Sequence, residues 1–383
     1  MNIVVCYKIV PDEQDVVVQA DRTLSFERAA RKIGDYDLNA VEAGAELAEA
    51  HGASLVCLTA GGDAVEDTKL KKAILARGPQ ENVAVKDASL PEAGSTKTAR
   101  VLAAAIKQLD SADLVLCGEG SADRYAQQVG VQLGELLGLP VINAVSSIEL
   151  ADGVAHVERT VGNVVELLDV PLPAVLSVVA DMNTPRIPSM KDILGAGKKP
   201  SRVLSLDDVA FEDAPEPVDV VSTATAPARY SRAPTTKPSR RLSRACARSC
   251  KEDLMSNKMV IFADAVEAYE ELCSGARALG CEPVALVVGT EDDAARVAAW
   301  GARVIFAGGV PEGALYEDCV PVFEQAIRAE QPALVLARMS KRTQCVAGRL
   351  AVRLEAPVVT DASRLTLDSD GVEASHLVYG GAA

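Results

Sequence analysis

Two segments of the sequence repeat one pattern. Residues 114–153 read as an apolar strand, a polar loop, a helix, a strand that begins after a proline, and a hairpin at Asp152-Gly153. Residues 334–371 follow the same order and end at Asp370-Gly371. A repeat of this length indicates two domains with one fold. The polar loop differs most between the two copies, so we expect their functions to differ there.

Strands alternate with helical segments in both halves of the chain. Such alternation predicts a parallel, doubly wound α/β sheet, and a core of small aliphatic residues fits the 49% hydrophobic and 3% aromatic content. The fold class is therefore predicted as α/β, with two mainly parallel-sheet domains of the same adenine-nucleotide-hydrolase-like fold. The predicted domains are residues 1–200 and 255–383, joined by a linker or arm over residues 201–254.

The composition argues against several classes of partner. A formal net charge of −15 repels phosphate backbones and anionic lipid headgroups, so we expect no nucleic-acid partner. The chain enters a strand at Asn2 without a leader pattern, and its apolar runs fall short of the roughly 18–20 residues that span a bilayer. We therefore expect a cytoplasmic protein without membrane insertion.

The cysteines do not predict a disulfide framework or a metal site. Cys6, Cys57 and Cys117 lie in apolar strands, where a free cysteine behaves as a small hydrophobic residue. Cys246 and Cys250 form a close pair, but no histidine is near them in the sequence. A zinc site usually needs four such ligands, so no metal is expected.

The loop at residues 118–130 is the best candidate for ligand binding. It follows a buried strand, contains three glycines and leads into a helix. Glycine lets the backbone approach a ligand, and the first amides of a helix offer unpaired donors to a phosphate. Residues 6–8 and 60–62 also follow strands and should reach the same sheet edge. On spacing alone, a ligand loop and a simple tight turn remain equal alternatives, because neither a Gly-x-Gly-x-x-Gly motif nor a P-loop is present.

Four segments make the interpretation more specific. Residues 6–15, 35–42, 118–130 and 183–200 resemble the β subunit of electron transfer flavoproteins, and most closely the Fix branch associated with carnitine metabolism. After residue 255, the segments 336–343, 348–354 and 376–381 resemble the N-terminal domain of the α subunit. The resemblance implies a gene fusion of two subunits that share a fold. It also implies that the redox FAD belongs to a further α-subunit domain, which we expect to be absent after residue 383.

The resemblance also implies a site. In the family this domain holds an adenine nucleotide, so we expect AMP or FAD here. Carried over position by position, the cofactor-binding residues are Cys6, Gly34, Asp35, Tyr36, Asp37, Ala60, Gly118, Ser121, Asp123, Arg124, Tyr125, Gln127, Gln128 and Val129. Family members commonly have Asn-Pro where this chain has Gly34-Asp35. We therefore expect this chain to keep the backbone contacts of these two positions and to lack the side-chain contacts of the asparagine. Met190 matches the apolar residue that anchors a partner dehydrogenase.

The resemblance predicts an electron carrier with no catalytic residues of its own. The implied partners are an acyl-CoA dehydrogenase or crotonobetaine reductase-type flavoenzyme, an electron-transfer flavoprotein-quinone oxidoreductase-like protein, and an α-subunit FAD domain on another chain. The implied pathway is carnitine or crotonobetaine reduction. Two alternatives remain open: an ATP-using enzyme related to adenine-nucleotide hydrolases, and an incomplete fusion without function.

Overall fold

The computed structural model describes residues 1–20, 23–212, 256–309, 311, 313–368, 371–376 and 378. Its internal contacts divide the chain into two units. The first unit comprises Met1–Val17, Phe26–Pro217 and Ser340–Thr360, and the second comprises Val18–Ser25, Val218–Met339 and Asp361–Ala383. Both are mixed α/β structures, which confirms the predicted fold class.

The described residues form the following strands and helices. The strands are β1 (Asn2–Tyr7), β2 (Ile9–Pro11), β3 (Val17–Val18), β4 (Leu24–Ser25), β5 (Arg31–Ile33), β6 (Ser54–Gly61), β7 (Glu81–Lys86), β8 (Leu114–Gly118), β9 (Val141–Ala151), β10 (Val154–Val161), β11 (Val164–Pro171), β12 (Ala174–Val178), β13 (Ser201–Ser205), β14 (Lys258–Phe262), β15 (Glu282–Val288), β16 (Arg303–Ala307), β17 (Leu334–Ala337), β18 (Ala362–Asp368) and β19 (Gly371–His376). The helices are α1 (Asp35–His51), α2 (Thr68–Leu75), α3 (Ser95–Ile106), α4 (Val129–Leu137), α5 (Met190–Ala196), α6 (Ala268–Ala278), α7 (Glu291–Ala299), α8 (Val320–Glu330) and α9 (Lys341–Leu354).

The first unit is built on a nine-stranded sheet. Its strand order is β11-β10-β9-β12-β8-β1-β6-β7-β13, and all pairs are parallel except those made by β10. The central strands β1 and β8 and the middle of β6 are buried because helices cover both faces of a parallel sheet. In register, Cys6 lies opposite Leu58 and Cys117, so the carboxyl ends of these three strands meet at one edge.

The second unit repeats the central part of this topology. Its parallel sheet has the order β16-β15-β14-β17, which corresponds to β7-β6-β1-β8 in the first unit. The hairpin of β18 and β19 corresponds to β9 and β10, since both are antiparallel pairs that follow a matching helix. The shared fold inferred from the internal repeat is therefore present in the structure.

Two segments lie in a different part of the fold from the one that the sequence predicts. Residues 201–205 form β13 beside β7, although the sequence assigned them to the linker. Residues 340–360 belong to the first unit, where α9 packs against α4 and buries Cys345 in its core. Of the predicted linker, residues 213–254 lie outside the described part of the chain, and Cys246 and Cys250 are among them.

The described residues show neither a membrane-spanning helix nor a cluster of metal ligands. Among these residues, no helix is long and apolar enough to cross a membrane. The same residues contain no group of three or more His, Cys, Asp or Glu side chains placed to hold a metal ion. Seven cysteines in this part of the chain are free and buried, including Cys6 and Cys117.

Candidate functional site

The carboxylate of Asp37 joins three chain segments at the sheet edge. Asp37 is buried in the first turn of α1, and its Oδ2 accepts a hydrogen bond of 2.7 Å from the backbone nitrogen of Lys8, just after β1. It also accepts a backbone hydrogen bond from Gly118, the last residue of β8. The nitrogen of Gly34 donates to the Lys8 carbonyl over 2.9 Å. The ends of β1 and β8 and the start of α1 are thus fixed against one another.

The backbone at Gly118 approaches α1 too closely for any side chain. A Cβ built on Gly118 would lie 2.7 Å from the carbonyl carbon of Tyr36 and 2.9 Å from the backbone nitrogen of Asp37. Cβ atoms essentially never come this near to backbone atoms. Glycine is therefore required for close packing at this strand end, independently of any ligand.

The loop between β8 and α4 has an unusual backbone. Tyr125 and Gln127 adopt left-handed conformations with φ of 45° and 54°, which L-residues rarely occupy. The nitrogen of Tyr125 donates to the carbonyl of Ser121 over 2.9 Å. Helix α4 then begins at Val129 without a side-chain cap, so its first amides are available at the positive end of the helix dipole.

Charged groups in the site are paired within the protein. The ammonium group of Lys8 lies 2.6 Å from Oδ2 of Asp123. Burial opposes ionisation of Asp123, but Lys8 and hydrogen bonds from Ser121 and Arg124 hold its pKa below the ordinary value. For Asp37, burial outweighs the hydrogen bond from Lys8 and raises the pKa to about 7. The two carboxyl groups thus differ in charge state near neutral pH.

Two tyrosines form an aromatic surface beside the loop. The ring centroids of Tyr36 and Tyr125 are 5.2 Å apart, with an angle of 38° between the ring planes. Burial, together with the neighbouring Tyr36, raises the pKa of Tyr125 to about 12, so its hydroxyl stays neutral. Tyr125 is partly exposed and its hydroxyl donates to Glu119 over 3.3 Å. Aromatic faces of this kind suit stacking against a planar base.

The structure brings most of the sequence-predicted residues to this edge, but several side chains point elsewhere. Cys6 is buried in the core, where its hydrogen bond to Cys117 and its burial raise the pKa of the thiol. Arg124 donates to the carbonyl of Ala93 over 3.2 Å. Gln128 is buried and donates to the carbonyl of Gln344 over 3.2 Å. Ala60 lies at the carboxyl end of β6 without a polar group on its side chain.

Several residues that support the loop from a distance are not evident from the sequence. Lys8 was noted only as part of a strand-end segment, and Glu119 was not assigned a role. Lys341, Gln344 and Thr360 contact the loop although they follow it by more than two hundred residues. No local pattern in the sequence reveals such contacts, because they depend on where α9 packs.

A second candidate site is an apolar surface on and before α5. Ile187, Met190 and Leu194 are 94%, 73% and 71% exposed, and this surface is called the α5 patch below. Ser189 and Asp192 cap the helix reciprocally, and the nitrogen of Arg186 donates to Glu42 over 2.8 Å. A hollow of about 480 Å³ next to the patch is lined by Thr68, Lys69, Lys72, Ala73 and Ile193. These contacts support the backbone of the α5 patch, while its large apolar side chains face solvent.

A doubly wound α/β domain with a glycine-containing loop at its strand ends defines a class of nucleotide-binding proteins. The model described as "Electron transfer flavoprotein domain" matches residues 23–209 and 263–383, which is more than half of the chain. The chain belongs to the electron transfer flavoprotein domain family.

Proposed function

We propose that the strand-end site of the first unit binds an adenine nucleotide, either AMP or FAD. The observation that carries this proposal is the convergence of three segments, at Lys8, Gly34–Asp37 and Gly118, beside the uncapped start of α4. The helix amides suit a phosphate and the two tyrosine rings suit a base. The residues present therefore fit such a group. Cys6, Arg124 and Gln128 would contribute through backbone atoms because their side chains are engaged.

We further propose that the chain is an electron-transfer flavoprotein component of the β type, fused to part of an α type. The family assignment and the two matching sheets support this role. A bound flavin would supply the redox chemistry, while this chain's own residues bind and orient the nucleotide. The hydroxyl of Ser121 hydrogen-bonds to the carboxylate of Asp123, but the lowered pKa of Asp123 makes this carboxylate a weak base.

The charges of the site favour a carrier over an ATP-cleaving enzyme. Cleavage of ATP generally needs cationic side chains that are free to stabilise the phosphates. Lys8 is paired with Asp123, and Arg124 donates to the carbonyls of Glu92 and Ala93. Both cations are thus already engaged by oxygen atoms of the protein. ATP use therefore remains the less supported alternative.

We propose that the α5 patch docks the redox partner. Exposed apolar groups on a capped helix, with lysines on the adjoining hollow, suit a partner surface with an apolar pocket and an acidic rim. The partner proposed from the resemblance is a flavoenzyme of the acyl-CoA dehydrogenase or crotonobetaine reductase type. A role in carnitine metabolism and electron exchange with a quinone oxidoreductase-like protein belong to the same proposal.

Calorimetric titration tests the nucleotide site. AMP, FAD and ATP are added separately to protein that has been freed of small molecules by partial unfolding and refolding. We expect saturable binding of AMP or FAD and no release of phosphate from ATP. Steady turnover of ATP would favour the hydrolase alternative, and the absence of binding by all three would refute the site.

A further inference from the structure

We propose that residues 340–360 act as a clamp that holds the 119–128 loop in its nucleotide-binding conformation. The inference rests on the proposed nucleotide site and identifies positioning residues for it. All of the contacts involved lie within the first unit, although the two segments are separated by more than two hundred residues. The loop and the clamp come from opposite copies of the internal repeat.

Glu119 is the first point at which the clamp meets the loop. The ammonium group of Lys341, at the start of α9, forms an ion pair with the carboxylate of Glu119. The same carboxylate accepts a hydrogen bond of 2.9 Å from the amide of Gln127 and one from the hydroxyl of Tyr125. Lys341 thereby fixes the acceptor on which both left-handed residues of the loop depend.

Gln344 and Thr360 supply three further contacts. The side-chain amide of Gln344 donates to Oε1 of Gln127 over 2.6 Å, and its backbone carbonyl accepts from Gln128. The hydroxyl of Thr360 donates to the carbonyl of Ala126 over 2.7 Å. Gln127, Gln128, Gln344 and Thr360 are all buried. Water therefore cannot easily replace these bonds if one partner is lost.

The conformation of the loop explains why it needs such support. Non-glycine residues stay in the left-handed region only when their surroundings enforce it. Tyr125 and Gln127 are two such residues within three positions, immediately before the first amides of α4. The clamp contacts each residue from Ala126 to Gln128. Without it we expect the loop to relax and the amides at the start of α4 to lose their common alignment.

Simple attachment of α9 does not account for these contacts. Arg349 and Arg353 already fix the later turns of α9 to Glu135, with Nε of Arg349 2.8 Å from Oε2 of Glu135. Glu135 lies near the end of α4, away from the loop. Arg349 therefore provides a matched control on the same helix, because it attaches α9 to α4 without contacting the loop.

The test compares Gln344→Leu, Thr360→Val and the control Arg349→Met. Binding of AMP and FAD is measured by calorimetry, and stability is measured by urea unfolding. Hydrogen exchange is measured for peptides that cover residues 119–128. We expect Gln344→Leu and Thr360→Val to raise the Kd about fivefold or more, because each removes a buried hydrogen bond. Exchange of the loop amides should rise in the same two variants. Arg349→Met should lower stability while leaving the Kd and the loop exchange within about twofold of wild type.

The outcomes separate this inference from the proposed function. If wild-type protein binds neither AMP nor FAD, the proposed site fails. If wild type binds but Gln344→Leu and Thr360→Val bind equally well, the clamp is refuted while the site stands. An equal loss of affinity in Arg349→Met would also refute it, because the effect would then follow from attachment alone. Should Gln344→Leu fail to fold, Thr360→Val carries the test, since it replaces a hydroxyl by a methyl group of similar size.

Discussion

Replacing Gly118 by alanine should damage the site through packing alone. The added methyl group would lie 2.7 Å from Oδ1 of Asp37 and from the carbonyl carbon of Tyr36. Tyr36 and Asp37 belong to the first turn of α1, so backbone rather than a flexible side-chain end must move. The first turn of α1 would be displaced from β8, and the hydrogen bond from Lys8 to Asp37 would be strained.

The size of the effect follows from the displacement. Contacts of 2.7 Å must open by about 0.7 Å to reach an ordinary van der Waals separation of about 3.4 Å, and overpacking of this kind costs about 1–3 kcal/mol. Because the same backbone positions the start of α1 and the loop, we expect AMP affinity to fall about tenfold. Both changes have one cause and should appear together.

The assay is urea unfolding combined with AMP titration, with Gly195→Ala as the control. Gly195 lies in α5 with no atom within 4 Å of the position of its added Cβ. Alanine there should leave AMP binding unchanged and stabilise the protein by about 0.5–1 kcal/mol. If Gly118→Ala unfolds at the same urea concentration as wild type and binds AMP equally well, the close approach between β8 and α1 is wrong.

Two further predictions concern Asp37 and Met190. The pKa of Asp37 is about 7 in the folded protein, against an ordinary value of 3.8, so folding favours the protonated form. The contribution of Asp37 to the free energy of unfolding is therefore complete below about pH 4. It falls by up to about 4 kcal/mol as the pH rises to 7. Urea unfolding at pH 5, 6 and 7.5 should show a smaller fall for Asp37→Asn than for wild type, and parallel profiles would contradict this reasoning. Met190→Ala should weaken docking of an acyl-CoA dehydrogenase-type flavoenzyme by about 2 kcal/mol without lowering the melting temperature. Leu167→Ala, an equally exposed change on β11, should not alter docking, and equal losses in both variants would exclude a specific α5 patch.

The sequence predicted the repeated strands well because their apolar runs are continuous. In β1 and β8, burial on both faces leaves no polar alternation, and this is the pattern expected of parallel sheets. Residues 63–77 do not form one continuous helix, because the carboxylate of Asp67 caps α2 by accepting from the nitrogens of Lys69 and Leu70. The strand at residues 201–205 was missed because most of its side chains are exposed.

The candidate site was predictable in outline and not in detail. Glycines at the end of an apolar strand located the loop, and resemblance to a family supplied its individual residues. Because Tyr125 and Gln127 have left-handed conformations, α4 begins only at Val129. No local residue preference predicts these conformations. The supporting contacts of Gln344 and Thr360 arise only once α9 has packed on the first unit. Tertiary contacts of this kind leave no periodic signal in a single sequence.

Identification of the small molecule released from the purified chain tests the central claim most directly. The protein is denatured without added nucleotide, and the supernatant is analysed by mass spectrometry and by absorbance in the flavin bands. We predict AMP or FAD in an equimolar amount, and a clear loss of it in Gly118→Ala, where the backbone of the strand-end site is displaced. Recovery of no nucleotide, or of an equal amount from both proteins, would contradict the assignment of an adenine-nucleotide site to the loop between β8 and α4.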